Sequence, residues 1–217
     1  MSKIVNVILT GGVGSRLWPL SRKSNPKQYL EIFEGKSLFE LTIVRNKSVA
    51  IAVMVVGNKD NYNKSVSVLE RANITASHIV ESTPRNTAAA IAFAALYSDP
   101  EDILLISPSD HIIEGENEYK NSVAKAIELA QQDFIVTFGI IPTKPETGYG
   151  YIEYNEEDVV AFREKPDSKT AKEFLAKGNF LWNSGMFCFK AKVLLEELQK
   201  YQPEVFQASK IAIDKAE

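Results

Sequence analysis

Short apolar runs alternate with longer amphipathic stretches through the first two thirds of the chain, and this alternation limits the fold more than any other feature. Residues 4–9 (IVNVIL), 51–56 (IAVMVV) and 103–106 (ILLI) are apolar on successive positions rather than on every second one. Residues 77–80 and 134–139 read as two further strands. Helices are expected between them. One spans residues 38–47 and opens on the capping pattern Ser37-Leu38-Phe39-Glu40. A second covers about 61–72, with Val66 and Leu69 inward. A third is alanine-rich, capped by Asn86 or Thr87, and runs to Tyr97. A fourth covers 118–132, with Val123, Ala126, Ile127 and Ala130 at helical spacing. Strands apolar on both faces and separated by helices make a parallel sheet covered on both sides. The expected class is therefore α/β, with a doubly wound, mostly parallel sheet. Ligands of such sheets sit beyond the carboxyl ends of the strands, here residues 11–16 and 108–111.

The pattern changes after Gly139. Residues 149–154 and 159–164 read as two strands around the acidic turn Asn155-Glu156-Glu157-Asp158, an antiparallel hairpin. A helix over 168–177 closes at Gly178. Residues 186–189 form a strand, and 191–200 and 204–217 form helices, with Pro203 opening the second. No repeat or linker interrupts the chain. One domain is expected, whose second half adds a small antiparallel substrate-binding lobe. The last helix carries Val205, Phe206, Ile211 and Ile213 but no C-cap, so either it docks on the domain or the chain stops before the fold is complete.

Residues 11–30 (GGVGSRLWPLSRKSNPKQYL) follow the first strand. They hold Gly11, Gly12 and Gly14 together with Arg16, Arg22, Lys23 and Lys27, and no carboxylate. Bare backbone at a strand end with local positive charge suits phosphate. A P-loop is excluded, because Ser15-Arg16 follows Gly14 where that motif needs Lys-Ser/Thr. The dinucleotide fingerprint is excluded too, because Trp18-Pro19 interrupts any helix directly after the loop. Solvated loop charge is the plainer reading of Lys23.

The whole chain of 217 residues has 25 basic and 28 acidic side chains, a net charge of −3. That argues against nucleic acid or an anionic membrane as partner and for a small anionic ligand. The one cysteine, Cys188, lies in the apolar run Met186-Phe187-Cys188-Phe189 and reads as a buried hydrophobe. With no internal disulfide available, no apolar stretch near membrane-spanning length and a first apolar run of only six residues broken by Asn6, a cytoplasmic protein is expected.

The stretch GGxGxRLWPLSRxxxPKQ resembles the signature of bacterial mannose-1-phosphate guanylyltransferases, the GDP-mannose pyrophosphorylases. Five further pieces match in order: Glu81 with Arg85-Asn86-Thr87-Ala88; Pro108-Ser109-Asp110-His111; Pro145 to Ile152; Phe162 to Pro166; and Trp182 to Phe187. The Trp18 to Arg22 and Pro26-Lys27-Gln28 pieces set it apart from the related glucose-1-phosphate thymidylyl- and uridylyltransferases. The resemblance implies a Rossmann-like, glycosyltransferase-A-like nucleotidyltransferase domain over 1–217. Residues 1–140 would be its nucleotide-binding half and 141–217 its sugar-phosphate-binding half. It implies the reaction of GTP with mannose 1-phosphate to give GDP-mannose and pyrophosphate, by in-line attack on the α-phosphorus with Mg²⁺ assistance.

In that scheme Arg16, Lys27 and Asp110 are the catalytic candidates. Arg16 suits the leaving β,γ-phosphates, Lys27 suits the α-phosphate, and Asp110 suits Mg²⁺. On its residues alone, Asp110 reads equally well as a helix cap beside Ser109, and His111 reads as structural. Gly11, Gly12, Gly14, Ser15, Glu81, Arg85, Asn86, Thr87 and Ser109 are the nucleotide-binding candidates. Glu81 and Asn86 are the ones able to accept from guanine, although capping explains Asn86 and Thr87 as well. Gly148, Tyr149, Gly150, Glu164, Lys165 and Asn183 are the sugar-phosphate candidates. On composition alone, Glu164-Lys165-Pro166 is an exposed ion pair at a strand end, and the resemblance is what tips it.

Family members normally continue past this length with a further Asp-bearing segment, and larger ones add a mannose-6-phosphate isomerase domain. The resemblance therefore implies a chain truncated at its C-terminus that binds GTP or GDP-mannose weakly and turns over poorly. Two alternatives stay open, a nucleotidyltransferase of other base or sugar preference and a nucleotide-sugar-binding fragment without activity. A homodimer is left open.

Overall fold

The computed structural model describes residues 2–12, 17–83 and 87–216. Gly14, Ser15, Arg16, Arg85 and Asn86 lie outside the described residues. The chain divides into two compact units. The first comprises residues 1–136 and 187–217, and the second comprises 137–186. Residues 187–217 group with the first unit. The reason is a long-range pairing that local sequence does not display, described below.

In the first unit, β1 (Ile4–Leu9), β2 (Ala52–Asn58), β3 (Ser77–Glu81) and β4 (Ile103–Pro108) lie parallel in the order β3-β2-β1-β4. The last residues of β8 (Phe180–Lys190) run antiparallel along β4, with Phe187 opposite Ile106 and Lys190 opposite Ile103. The alternation of β1 shows why both faces are apolar. Val5 and Val7 enter a core with Met54, Val56, Ala90, Ile91, Leu104, Ile106 and Phe189. Ile8 enters a second core on the opposite face with Phe39, Ile43, Val55, Val68 and Leu69. The doubly wound sheet expected from the sequence is the one observed.

The helices follow from these two faces. α3 (Thr87–Tyr97) buries Ala90, Ile91, Ala92, Ala94 and Ala95. A helix apolar on nearly all sides must be covered on nearly all sides, and α6 (Ala191–Tyr201) and α7 (Pro203–Asp214) pack against it. The last helix thus docks, with Ser209 buried and Ile211 exposed. α1 (Leu38–Asn46) and α2 (Lys59–Arg71) cover the other face. α1 is capped by Ser37 accepting from the Glu40 N–H, and α2 by Asn58 accepting from the Asn61 N–H. α4 (Glu116–Gln131) lies with α1, its Tyr119 hydroxyl donating to Asn46 Oδ1 at 2.5 Å. Cys188 is buried, and burial pushes its thiol pKa up to about 12. No helix among the described residues is long and apolar enough to cross a membrane.

The second unit is built on antiparallel pairs. β6 (Tyr151–Asn155) pairs with β7 (Asp158–Arg163) and with Phe180–Trp182 of β8, and β5 (Val136–Ile140) also pairs with β8. Tyr151, Phe174 and Phe180 form its core with Ala171 of α5 (Ser168–Lys177), and the Phe174 and Phe180 rings stack at 4.1 Å. α5 ends at Gly178, at φ +75°, as expected. β8 is far longer than the four residues read from the sequence. Asn183-Ser184-Gly185 has turn composition, yet it stays in the strand. Ser184 Oγ donates to the Phe138 carbonyl at 2.6 Å, and Asn183 Oδ1 accepts from the Gly185 N–H at 2.9 Å.

One glycine makes a stability prediction. A Cβ on Gly57 in β2 would lie 2.0 Å from Thr10 Oγ1, and Thr10 is buried, its hydroxyl donating to the Val56 carbonyl. Gly57→Ala is expected to lower the unfolding free energy by about 1–3 kcal/mol, read from the urea midpoint. The loss shrinks in a Thr10→Ala background, where the crowded oxygen is gone. Equal losses in both backgrounds would contradict this contact as the cause.

Candidate active site

The strand order of the first unit reverses between β1 and β4, and the crevice beyond their carboxyl ends is where such sheets bind ligands. Gly11 and Gly12 follow β1, and Ser109 and Asp110 follow β4. The two ends are tied together, because the Ser109 N–H donates to the Leu9 carbonyl at 3.2 Å. Gly12 has φ +99°, a left-handed backbone that favours glycine, and a Cβ on either glycine would meet nothing within 4 Å. The backbone here is bare and open, which is what an approaching phosphate needs.

Lys27 reaches this crevice through a short 3-10 turn, Lys27–Tyr29. The next two residues anchor the turn. Gln28 is buried, and its Nε2 donates to the Thr10 carbonyl at 2.9 Å and to the Gly12 carbonyl at 3.3 Å. Tyr29 is buried, shares a 2.7 Å hydrogen bond with Ser65 Oγ, and packs its ring 5.5 Å from that of Phe39. Asn61 Nδ2 donates to the same Thr10 carbonyl at 3.2 Å. Lys27 therefore stands on a fixed base, next to a residue that reaches the Gly12 carbonyl. Its Nζ meets Asp110 Oδ2 at 2.9 Å, and His111 Nε2 lies 3.8 Å from Asp110 Oδ1. Burial pushes the His111 pKa below its ordinary value. Asp110 opposes that shift, and Lys27 and Arg45 add to it, so the ring is neutral at pH 7.

Lys27 and Asp110 thus meet beside the ends of β1 and β4, which Gly11, Gly12 and Ser109 follow. Glu81 ends β3 and is buried, and Thr87 opens α3. Gln28, quoted in the motif but given no role there, takes part in the framework with Asn61 and Arg45, which the sequence does not single out. Their side chains serve backbone carbonyls, a task that leaves no spacing pattern.

In the second unit the sugar-phosphate candidates gather around the start of β6. The Asn183 N–H donates to the Gly150 carbonyl at 2.8 Å, and a Cβ on Gly150 would lie 3.0 Å from Glu164 Oε1 and 3.6 Å from Asn183 Cβ. The Gly148 N–H donates to Glu146 Oε1 at 3.0 Å, and Tyr149 meets Trp182 edge-on with ring centroids 5.3 Å apart. Glu164 and Lys165 are exposed, and Lys165 sits at φ +37°. A carboxylate, an amide and bare glycine backbone at these distances can share the hydroxyls of a sugar.

At the Lys27–Asp110 pair a divalent cation would meet the Asp110 carboxylate. No group of three or more His, Cys, Asp or Glu side chains among the described residues is placed to hold a metal. One partly exposed carboxylate, Asp110, fits Mg²⁺, which takes one or two carboxylates and completes its shell with phosphate oxygens and water. It does not fit zinc, which needs a dedicated set of nitrogen or sulfur ligands.

Comparison with known proteins agrees with this architecture. The family model described as nucleotidyl transferase matches residues 5–217. The xanthan biosynthesis protein XanB of Xanthomonas campestris pv. campestris is 45% identical over 96% of this chain and 46% of its own length. A mannose-1-phosphate guanylyltransferase of Klebsiella pneumoniae is 38% identical over 99% of this chain and 48% of its own length. The chain thus spans about half the length of these curated relatives. A solved structure from Helicobacter pylori, described as a mannose-6-phosphate isomerase, superposes with a TM-score of 0.89 at 41% identity, covering 99% of this chain and 81% of that one. With the family model running along almost its entire length, the chain belongs to the nucleotidyl transferase family.

Proposed function

We propose that this chain carries the guanylyl-transfer activity of GDP-mannose synthesis, joining GMP from GTP to mannose 1-phosphate with release of pyrophosphate. The observation that carries the reading is the Lys27–Asp110 pair beyond the carboxyl ends of the neighbouring strands β1 and β4. The name of the Klebsiella pneumoniae relative, a mannose-1-phosphate guanylyltransferase, supports the choice of substrates.

The step is a displacement at phosphorus. An oxygen of the sugar phosphate attacks the α-phosphorus of GTP, the bond from that phosphorus to the α,β-bridging oxygen breaks, and pyrophosphate departs with the bond electrons. A phosphate oxygen already carries its charge, so no base is required, and positioning and charge neutralisation supply the rate. Gly11 and Gly12 let backbone N–H groups approach the triphosphate. Lys27 places its ammonium on the α-phosphate, where negative charge builds. Ser109, Glu81 and Thr87 line the nucleotide side, with Glu81 accepting from guanine. Gly14, Ser15, Arg16, Arg85 and Asn86 extend this set on the strength of the sequence motif, with Arg16 on the β,γ-phosphates. Asp110 would hold Mg²⁺, which when bound neutralises phosphate charge. Lys27 and Asp110 must then part, and a half-exposed pair worth about 1 kcal/mol or less yields readily to a triphosphate. Glu164 and Asn183 take sugar hydroxyls with Gly148, Tyr149 and Gly150, and Lys165 takes the sugar phosphate. A reducing, GTP-containing cytoplasm suits both the substrates and the one buried thiol.

The test is pyrophosphate release with mannose 1-phosphate, supplied in turn with GTP, UTP, dTTP and ATP. GTP is expected to be strongly preferred. Equal rates with all four, or a preference for another base, would contradict the proposal.

Gly150→Ala probes the sugar side. The added methyl meets the mobile end of Glu164, so the fold is unharmed while the carboxylate is displaced. The KM for mannose 1-phosphate is expected to rise about tenfold, as for the loss of one charged hydrogen bond, with the KM for GTP and the urea midpoint unchanged. An unchanged sugar-phosphate KM would remove Glu164 from the site.

A further inference from the structure

Asp110 sits at the start of a poorly held segment. Asp110 closes a turn, and residues 111–115 have no regular secondary structure, so no helix or strand ladder holds them. A carboxylate that must meet a cation in a fixed place needs some other restraint. Arg45 supplies one. Its Nη1 donates to the His111 carbonyl at 3.3 Å, one residue beyond Asp110. Fixing that carbonyl holds the His111–Ile112 peptide, one residue along from Asp110, and so limits how far the chain leaving Asp110 can swing.

Arg45 is itself firmly held. Its Nη2 donates to Thr42 Oγ1 at 3.3 Å, and its guanidinium lies 5.2 Å from the centre of the Tyr119 ring. The Tyr119 hydroxyl donates to Asn46 Oδ1, and Asn46 Nδ2 donates to Asn6 Oδ1 at 3.0 Å and to Ser107 Oγ at 3.1 Å. Asn6 is on β1 and Ser107 on β4, the two strands whose ends form the crevice. The support for Arg45 is therefore a buried polar network pinned to both strands and to α1 and α4. Such networks fix geometry because a broken member leaves its partners buried and unpaired.

We propose that Arg45 is a positioning residue for Asp110. By holding the His111 carbonyl it aims the Asp110 carboxylate at Lys27 and, on the functional reading above, at the cation of the metal–triphosphate. Residues that orient a metal ligand from behind typically change metal affinity or rate by about 10–100-fold when lost.

The test uses Arg45→Met, which keeps the stem over Tyr119, and Arg45→Gln, which stays polar but is too short to reach His111, with Arg45→Lys as the conservative variant. Manganese binding is followed by electron paramagnetic resonance in the presence of the α,β-methylene analogue of GTP. The ligand-free crystal structure of Arg45→Gln is determined alongside. Half-saturating manganese is expected to rise about 10–100-fold in the Met and Gln variants and to recover in part in the Lys variant. The KM for mannose 1-phosphate should not move, a pattern that general loss of fold would not give. In the crystal, the Lys27–Asp110 pair should be open. Wild-type manganese affinity in a folded Met or Gln variant would overturn the proposal. If the wild-type chain binds no manganese with the analogue, the functional reading fails, and the crystal structure still decides: an intact Lys27–Asp110 pair overturns the positioning role and an opened pair upholds it.

Discussion

Lys27→Ala is expected to lower pyrophosphate release from GTP about 10²–10³-fold, the range found when one preorganised donor to a developing negative charge is removed. The ammonium is placed by its neighbours rather than by its own packing. Gln28 and Tyr29 are buried and bonded, and they hold the turn whether or not residue 27 carries a charge. The urea midpoint is therefore expected to stay within about 1 kcal/mol of wild type, since the lost ion pair is half-exposed. The KM for mannose 1-phosphate is expected to change little. A loss in rate matched by a loss in stability would mean that Lys27 serves the fold and not the chemistry.

Asp110→Asn carries the second large effect. The substitution keeps shape and removes charge, so it separates a cation ligand from a loop cap, the two readings that the sequence leaves equal. An amide can still accept hydrogen bonds from nearby backbone, so a capping residue would tolerate it. A metal ligand would not. The rate is expected to fall at least about 10²-fold at ordinary Mg²⁺ concentration, with partial recovery as Mg²⁺ is raised. Full activity with an unchanged Mg²⁺ requirement would return Asp110 to the role of a structural residue.

These two side chains lie 83 residues apart, and their meeting explains how far the sequence could be read. Each was visible by itself: Lys27 in an acid-free basic loop, and Asp110 after an apolar strand. Their 2.9 Å contact depends on β1 and β4 being neighbours, which is a property of strand order and not of either motif. Strands with apolar residues on successive positions were legible because burial on both faces writes itself into the chain. β8 was cut short in the reading because Asn183, Ser184 and Gly185 carry turn chemistry, while the contacts that keep them extended come from residue 138 and from the segment itself. Residues 187–190 pair with β4, across more than eighty residues of chain, so their grouping with the first unit had no local sign. Asn6 breaks the apolar run of β1. An amide in the middle of an apolar strand must find a partner, and its partner, Asn46, leads to Arg45 and the Asp110 loop.

The most direct measurement is a crystal structure of the chain with the α,β-methylene analogue of GTP and Mn²⁺, located by its anomalous signal. The account predicts Lys27 Nζ turned from Asp110 onto the α-phosphate, with manganese bound to the Asp110 carboxylate and to phosphate oxygens. A triphosphate lying elsewhere, with Lys27 still paired to Asp110, would contradict it.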